Sequence, residues 1–238
     1  MGPTLPGRPR PAKAALPWAN SPRAEPCQHA DQRPDQPPQG GDQPKGRPGA
    51  ARSLDRVNEP LSADGGLTLR RWRDSDLPAV RDAFNEPGMY AQFGTVLEEG
   101  RVDEAAAGRW IARHGERWEQ GSAYSWAVTD GTGPGAALLG HVAVSNVNHV
   151  HDGGWVSYWT VGAARRRGVA SAAVRALTAW CFTELGLFRL ELGHRVDNEA
   201  SCRVALAAGY AVEGRQRAKL RYGSVRHDVE THARLATD

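Results

Sequence analysis

Two adjoining stretches, Trp155-Val-Ser-Tyr-Trp-Thr-Val161 and Gly162-Ala-Ala-Arg-Arg-Arg-Gly168, decide the fold. The first is aromatic and β-branched and predicts a strand, whereas the second has the composition of a loop. An apolar face at helical spacing follows and continues to Leu185, before Gly186. Its members are Val169, Ala173, Val174, Leu177, Trp180, Cys181 and Leu185. The chain therefore turns from a strand through a basic loop directly into a long helix.

The start of this helix is predicted to bind a phosphate or pyrophosphate. Unpaired backbone N–H groups and the helix dipole favour an anion there. Gly168 and Ala170 are small enough for the backbone to approach the anion, and Arg165, Arg166 and Arg167 can reach further phosphates. Neither a Walker GxxxxGK[ST] motif nor GxGxxG is present, which argues against a P-loop NTPase and a Rossmann dinucleotide site. The alternative is a solvated basic turn.

A second informative segment runs from Asp197 to Tyr210, between a predicted strand and a short helix that ends at Gly209. Asn198 either caps this helix or hydrogen-bonds an amide-bearing ligand beside the strand. Ser201 lies in the first turn, near the same end of the strand, and is otherwise a capping or solvent-facing serine.

The remaining pattern predicts an α+β domain with a mixed sheet. The predicted strands are 67–72, 125–129, 137–144, 155–161, 188–192, from 210 and 225–235, with 125–144 forming a hairpin. The two early helices begin at Ser75-Asp76-Leu77-Pro78 and after Asp103, and the second runs to about Gln120. The order is β-α-α-β-β-β-α-β-α-β-β.

Residues 1–60 differ in composition from 61–238. They hold 13 of the 16 prolines, nine basic and six acidic side chains, so the whole net charge of +3 lies there. A segment without apolar runs cannot bury enough surface to offset chain entropy, and we expect a disordered extension before an electrically neutral domain. A neutral domain argues against a nucleic-acid partner.

Membrane and redox features are few. No stretch of 18 apolar residues exists, so we expect no membrane partner. Cys27, Cys181 and Cys202 are far apart and form no CxxC motif, which argues against disulfides and a thiolate zinc site. A reducing cytoplasm is the expected compartment.

The ordered set of motifs resembles the GNAT acetyltransferase superfamily, and more closely its RimJ/RimL-type branch of ribosomal-protein N-terminal acetyltransferases. The resemblance covers about 67–235. It rests on Leu69–Leu77, Tyr158-Trp159, Arg165–Ala170, Ala179-Trp180, Leu185–Arg189, Asn198–Ser201, Ala208–Tyr210, Glu213-Gly214 and His227-Asp228. It implies a GNAT-type acyl-CoA N-acyltransferase fold, with a mostly antiparallel sheet flanked by helices.

The resemblance also implies acetyl-CoA as cosubstrate. The amides of Arg165, Arg166, Arg167, Gly168, Val169 and Ala170 would hold its pyrophosphate. The strand edge at Trp159, Thr160 and Val161 would pair with pantetheine and offer an N–H to the thioester carbonyl, and Asn198 would contact pantetheine. Many members carry a proton-donating Tyr seven residues after this Asn; here that residue is Ala205, so the resemblance assigns Ser201 to the leaving thiolate.

The general base is less defined. Relatives often carry a Glu just before the strand motif, where this chain reads Trp155-Val-Ser157. The nearby candidates are His149, His151 and Asp152, and His151 is preferred because its intrinsic pKa near 6.5 suits proton transfer. Two histidines without a third ligand predict no metal. Glu191 lies beside the site in the family, or pairs with Arg189 or Arg195.

The predicted activity is acetyl transfer to a primary amine by direct attack in a ternary complex. The acceptor is a protein N-terminus, ribosomal or other, or a small molecule such as an aminoglycoside or amino acid. Trp110, Trp118, Tyr90 and Phe93 line the acceptor pocket or belong to the core. The enzyme is expected as a monomer or homodimer. The alternatives are a degenerate CoA-binding module and a nucleic-acid-associated protein that uses Arg165–Arg167 and the basic tail.

Overall fold

The computed structural model describes residues 59–89, 101–133 and 135–238. Eight strands form one sheet in the order β1-β2-β3-β4-β5-β6-β8-β7. They are β1 Leu61–Ala63, β2 Leu67–Arg70, β3 Tyr124–Thr129, β4 Leu138–Asn148, β5 Gly153–Thr160, β6 Arg189–Arg195, β7 Ala211–Tyr222 and β8 Val225–Leu235. The helices are α1 Leu77–Phe84, α2 Glu104–Glu119, α3 Val169–Thr183 and α4 Glu199–Ala207.

The predicted α+β class and the order of elements are confirmed, with one strand added. Strand β1 was not predicted, because three residues, Leu61–Ala63, are too short to show a period. The predicted extension, save for Glu59 and Pro60, lies outside the described residues, as do Cys27, Tyr90 and Phe93.

Local sequence explains most element boundaries. Asp103 caps α2, where its carboxylate accepts the N–H of Ala106 at 2.7 Å. Helix α1 begins where the sequence predicts, with Pro78 in its first turn, but no side chain caps its first N–H groups. The Asp76 carboxylate is instead held by the Arg70 guanidinium at 2.7 and 2.8 Å, because a buried carboxylate requires a charged partner.

The sheet separates two apolar clusters. The larger contains the inner face of α3, with Val174 and Leu177, packed on Val142 and Leu190 of the sheet. The smaller joins α1 and α2 to the sheet through residues that include Phe84, Ile111 and Trp159. Because side chains alternate along a strand, Tyr158 and Trp159 point to opposite faces. Tyr158 packs against the larger cluster, whereas Trp159 belongs to the smaller one.

The middle of the sheet holds the feature that positions the site. Strands β5 and β6 are parallel. They pair from Gly153, opposite Arg189, to Val156, opposite Leu192. Strand β5 continues to pair with β4 as far as Thr160, opposite Gly140. The second half of β5 therefore separates from β6 and leaves a cleft between the two strands.

The two outer strands differ in character. At one edge β1 is three residues long. At the other, β7 spans 12 residues, most of them exposed. The basic side chains of β7 are Arg215, Arg217, Lys219 and Arg221.

Candidate active site

A cleft of about 460 Å³ opens where β5 separates from β6. It is lined by the end of β5, the loop before α3, the first turn of α3 and one side of α4. The lining includes nine of the predicted site residues: Trp159, Thr160, Arg165, Arg166, Gly168, Val169, Ala170, Asn198 and Ser201. The two segments that the sequence singled out therefore meet at one cleft.

The start of α3 has the features of an anion site. Gly168 precedes the helix with φ of 77°, in the left-handed region that glycine adopts without strain. The carbonyl of Gly168 accepts the N–H of Ala172, so the N–H groups of the preceding first turn have no partner within the helix. Val169, Ala170 and Ser171 of that turn line the cleft. Backbone donors and the positive end of the helix dipole thus lie at one wall.

The arginine loop is only partly engaged. Arg165 donates to the carbonyl of Thr160 at 3.3 Å and contacts the Glu86 carboxylate at 3.5 Å. Glu86 also accepts the N–H of Gly162 at 2.9 Å, which ties the loop to the segment after α1. Arg166 and Arg167 are exposed, and Arg166 lines the cleft whereas Arg167 is not among its lining residues.

The free edge of β5 is set by its pairing with β4. The N–H of Val161 donates to the carbonyl of Leu139 at 3.0 Å, so it is directed at β4 and not at the cleft. Since backbone groups alternate in direction along a strand, those of Tyr158 and Thr160 face the side of β6. Of the three residues predicted to offer a strand edge, Thr160 therefore has its N–H on the cleft side, and Val161 is not a lining residue.

The structure pairs Ser201 with Tyr158, a partner that the sequence did not assign. Their hydroxyl oxygens lie 2.8 Å apart. Ser201 is buried in the first turn of α4, and the Asn198 side chain accepts its N–H at 3.2 Å. Burial raises the pKa of Tyr158 to about 12, so its hydroxyl stays protonated at neutral pH. Periodicity could not reveal this pair, because it joins residues 43 positions apart.

Asn198 caps α4, which is one of the two roles that the sequence predicted for it. The capping bond uses the side-chain oxygen, and the residue still lines the cleft. Arg203, one turn further on, also lines the cleft and was not predicted. Glu191 forms an ion pair with Arg189 at 2.8 Å, which is one of the partners that the sequence predicted for it.

The structure places His151 far from this site. It lies with His149 in an exposed turn before β5. Strand β5 alone, from Gly153 to Tyr158, spans five residues at about 3.3 Å each, roughly 17 Å. This location does not support the predicted role of His151 as general base.

A different histidine lies beside the cleft. His141 on β4 is paired in register with Trp159, and their rings stack with centroids 5.7 Å apart. The two rings belong to a larger group of contacting rings, which we call the aromatic cluster. It consists of Trp72, Phe84, Trp110, His114, His141 and Trp159. Its Trp72 Nε1 and His141 Nδ1 are buried polar atoms without a hydrogen-bond partner among the described residues.

Both histidines of the aromatic cluster are held neutral. Burial lowers the pKa of His114 to about 4. Burial and the neighbouring His114 lower the pKa of His141 well below 6.5. Trp110 lies in this cluster beside Trp159, partly buried against the smaller apolar core, and does not line the cleft. Trp118 instead packs with Tyr124 and Trp126 in the larger core.

Comparisons with known proteins agree on one family. The family model described as an acetyltransferase (GNAT) domain matches residues 66–211. YdaF of Bacillus subtilis, provisionally named a ribosomal N-acetyltransferase, is 29% identical over 99 residues. That alignment covers 42% of this chain and 54% of YdaF, so the chain matches about half the length of this relative.

Two solved structures show the same fold. RimJ of Mycobacterium smegmatis, solved in complex with a CoA disulfide, is 22% identical, with a TM-score of 0.62 over 75% of this chain and 87% of its own. Spermidine N-acetyltransferase of Vibrio cholerae, in complex with CoA and spermine, is 18% identical. Its TM-score is also 0.62, over 73% of this chain and 98% of its own. Among the described residues, none lies in a helix long and apolar enough to cross a membrane.

Proposed function

This chain belongs to the GNAT acetyltransferase family, and we propose that it transfers the acetyl group of acetyl-CoA to a primary amine. The family and the fold predicted from the sequence are thereby confirmed. The observation that carries the proposal is the meeting of three features at one cleft. They are a helix start that can bind an anion, a free strand edge and a serine hydroxyl with a protonated partner.

The cofactor is proposed to lie along the separated half of β5. Its pyrophosphate would accept hydrogen bonds from the first turn of α3, with Arg166 and Arg203 reaching the outer phosphate oxygens. Its pantetheine amides would pair with the backbone of Tyr158 and Thr160, taking the place that β6 leaves. Relatives of known structure support this, because those of RimJ and spermidine N-acetyltransferase contain CoA or its disulfide.

The leaving group needs a proton or a hydrogen bond. When the amine attacks the thioester carbonyl, the C–S bond breaks and negative charge collects on sulfur. We assign the Ser201 hydroxyl to that sulfur. Tyr158, protonated and 2.8 Å from Ser201, would donate to the serine oxygen and so orient its hydrogen toward the thiolate. The N–H of Thr160 is the candidate donor to the carbonyl oxygen.

The acceptor amine is proposed to approach through the aromatic cluster, on the face of β5 opposite Tyr158. Indole faces attract cationic amines, and Trp159 belongs to both the cleft and the cluster. His141 takes the place of His151 as candidate base. Its neutral ring can accept the proton of the ammonium formed on attack, which is more acidic than the free acceptor ammonium.

The activity is tested by release of free CoA thiol from acetyl-CoA across a panel of peptide N-termini, polyamines, aminoglycosides and amino acids, with product masses recorded. We expect at least one class to be acetylated. If acetyl-CoA binds but no amine is acetylated, the alternative of a degenerate CoA-binding module replaces the enzyme.

The role of Ser201 is tested with Ser201→Ala, which should lower kcat about 10- to 100-fold and change acetyl-CoA affinity less than threefold, a loss in the range of general acid catalysis. Tyr158→Phe should lower kcat by a smaller factor. Ser62→Ala, an exposed serine on β1, is the matched control. An unchanged kcat for Ser201→Ala would remove this residue from the mechanism.

The role of His141 is tested with His141→Gln against His151→Gln. The first should lower kcat and flatten the acidic limb of the pH profile, whereas the second should match the parent enzyme. A normal pH profile for His141→Gln would leave proton removal to water.

The domain boundary is also a proposal. The family model begins at residue 66 and the first described strand at Leu61, which supports a catalytic domain of 61–238. Deletion of residues 1–55 should therefore leave solubility and kcat unchanged. We also propose a reducing, cytoplasmic location, since neither Cys181 nor Cys202 is in a disulfide.

A further inference from the structure

A second cluster of reactive side chains lies in the sheet, outside the residues that line the cleft. It consists of His194 on β6, Glu230 and His232 on β8, and Cys202 in the first turn of α4. We call it the His–Cys cluster. The side chains of His194, Glu230 and His232 are 3%, 13% and 0% exposed, and Cys202 is fully buried. Burial of four such groups together requires that each be compensated.

The four candidate ligand atoms lie close together. The Nε2 atoms of His194 and His232 lie 2.9 Å apart. An Oε1 of Glu230 lies 3.2 Å from the His232 nitrogen and 3.4 Å from the His194 nitrogen. All four ligand atoms, including the Cys202 Sγ, lie within 4.8 Å of one another. Around a tetrahedral zinc ion, bond lengths of about 2.0–2.3 Å place ligand atoms about 3.3–3.7 Å apart.

Hydrogen positions in the cluster favour a cation at that point. His194 Nδ1 lies 2.9 Å from the carbonyl oxygen of Arg195, which can only accept, so this nitrogen carries a proton. When this ring is neutral, its Nε2 atom therefore carries no proton and offers a lone pair. This atom and the Glu230 oxygen both face His232 Nε2, which has at most one proton to offer. A metal ion would instead interact with every one of these atoms.

The second sphere is also suited to a metal. Metal-bound histidines commonly donate their other ring N–H to a backbone carbonyl, which fixes the tautomer and the ring orientation. The His194–Arg195 contact is such a bond. The two strands hold the remaining ligands in register, since His194 stands opposite Glu230 and Leu192 opposite His232.

We propose that His194, Cys202, Glu230 and His232 bind a divalent transition metal, with Zn²⁺ preferred. One thiolate, two imidazoles and one carboxylate form a ligand set of the borderline softness that zinc favours. Four protein ligands close the site, so the metal is structural and takes no part in acetyl transfer. Coordination would replace the thiol proton of Cys202, which leaves for solvent.

The site would join α4 to the sheet immediately beside Ser201. The sequence did not predict it, because its ligands come from three separate segments and form no CxxC or HxxxH spacing. The competing interpretation is a metal-free cluster held by a proton shared among His194, His232 and Glu230.

The test uses the purified full-length chain with Zn²⁺ or Co²⁺ as the probe. After incubation with one equivalent of Zn²⁺ and dialysis, elemental analysis should give about one zinc per chain. The Co²⁺ form should show tetrahedral d–d bands and a thiolate charge-transfer band. Cys202→Ala should bind at least tenfold more weakly and lose the thiolate band. Cys181→Ala, a buried thiol in the α3 core, should behave as the parent chain.

His232→Gln is a second variant in case Cys202→Ala fails to fold, which circular dichroism would reveal, and it should also lower affinity at least tenfold. A folded parent chain without zinc, a Co²⁺ spectrum without thiolate character, or folded variants with unchanged affinity would each overturn the proposal. None of these measurements uses acetyl transfer, so they do not depend on the proposed function.

Discussion

Two histidine pairs with nearly equal geometry have very different surroundings. The rings of His114 and His141 lie 5.3 Å apart, and those of His194 and His232 lie 5.0 Å apart. The first pair is surrounded by indole rings, whereas the second faces the carboxylate of Glu230 and the thiol of Cys202.

The difference shows that neighbours, and not burial alone, decide what a buried imidazole contributes. Among the indoles, burial simply excludes the proton, and the cost appears as polar atoms without partners. In the His–Cys cluster both Nε2 atoms and the Nδ1 of His194 have polar neighbours, whereas the Nδ1 of His232 has no hydrogen-bond partner among the described residues. Removal of one ring therefore leaves several polar atoms without a partner in an apolar interior. The first pair should therefore tolerate apolar replacement, and the second should not.

The largest expected effect is that of His232→Phe. This change removes the partner of both Glu230 and His194, and loss of a buried charged or polar partner costs about 3 kcal/mol. Urea unfolding should show that loss in the free energy of unfolding at pH 7. A loss below about 1 kcal/mol would mean that the two pairs are energetically alike.

A smaller effect is expected from pH. In the unfolded chain His114 binds a proton when the pH falls below its usual pKa of 6.5, whereas in the folded chain it binds the proton only near pH 4. The free energy of unfolding should therefore fall as pH drops through this window, by about 2 kcal/mol from His114 between pH 7 and pH 5. His114→Gln should reduce the slope, and an identical slope in this variant would contradict the lowered pKa.

The third effect is that of His141→Phe on stability. The buried Nδ1 has no partner among the described residues, so an apolar ring of similar shape removes its desolvation cost, which offsets the loss of the ring's hydrogen bond to the backbone of Trp126. The free energy of unfolding at pH 7 should change by less than about 1 kcal/mol, in either direction. A loss as large as that of His232→Phe would show that His141 makes a strong bond, and the contrast between the pairs would fail.

The smallest effect belongs to the exposed histidines. His149 and His151 lie in a solvent-facing turn, and surface changes there alter stability by less than about 0.5 kcal/mol. The double variant His149→Gln, His151→Gln should unfold with the parent chain at pH 7 and pH 5. It serves as the baseline for the two buried pairs.

The sequence was informative where local pattern and structure coincide. The caps at Asp103 and Asn198, the glycine before α3 and the apolar face of that helix are local signals. Together with the family resemblance, such signals led to nine residues that line the cleft. Contacts between distant segments were not accessible in the same way. The Tyr158–Ser201 bond and the His–Cys cluster depend on which strands become neighbours, and no period along the chain encodes that.

The assignment of His151 illustrates the same limit. The sequence places it near the strand motif, but a strand is extended, so the five residues from Gly153 to Tyr158 already span roughly 17 Å. His141 is further from that motif along the chain and yet stands opposite Trp159, because the hairpin between β4 and β5 returns the chain on itself.

The unequal outer strands have a consequence for the association of one molecule with another. A sheet edge presents unsatisfied N–H and C=O groups that can add a strand from a second chain. Strand β1 offers only three residues for such pairing. Strand β7 is long, but Arg215, Arg217, Lys219 and Arg221 would place like charges against those of an identical neighbour. The short strand at one edge and the like charges at the other both disfavour growth of the sheet by addition of a strand.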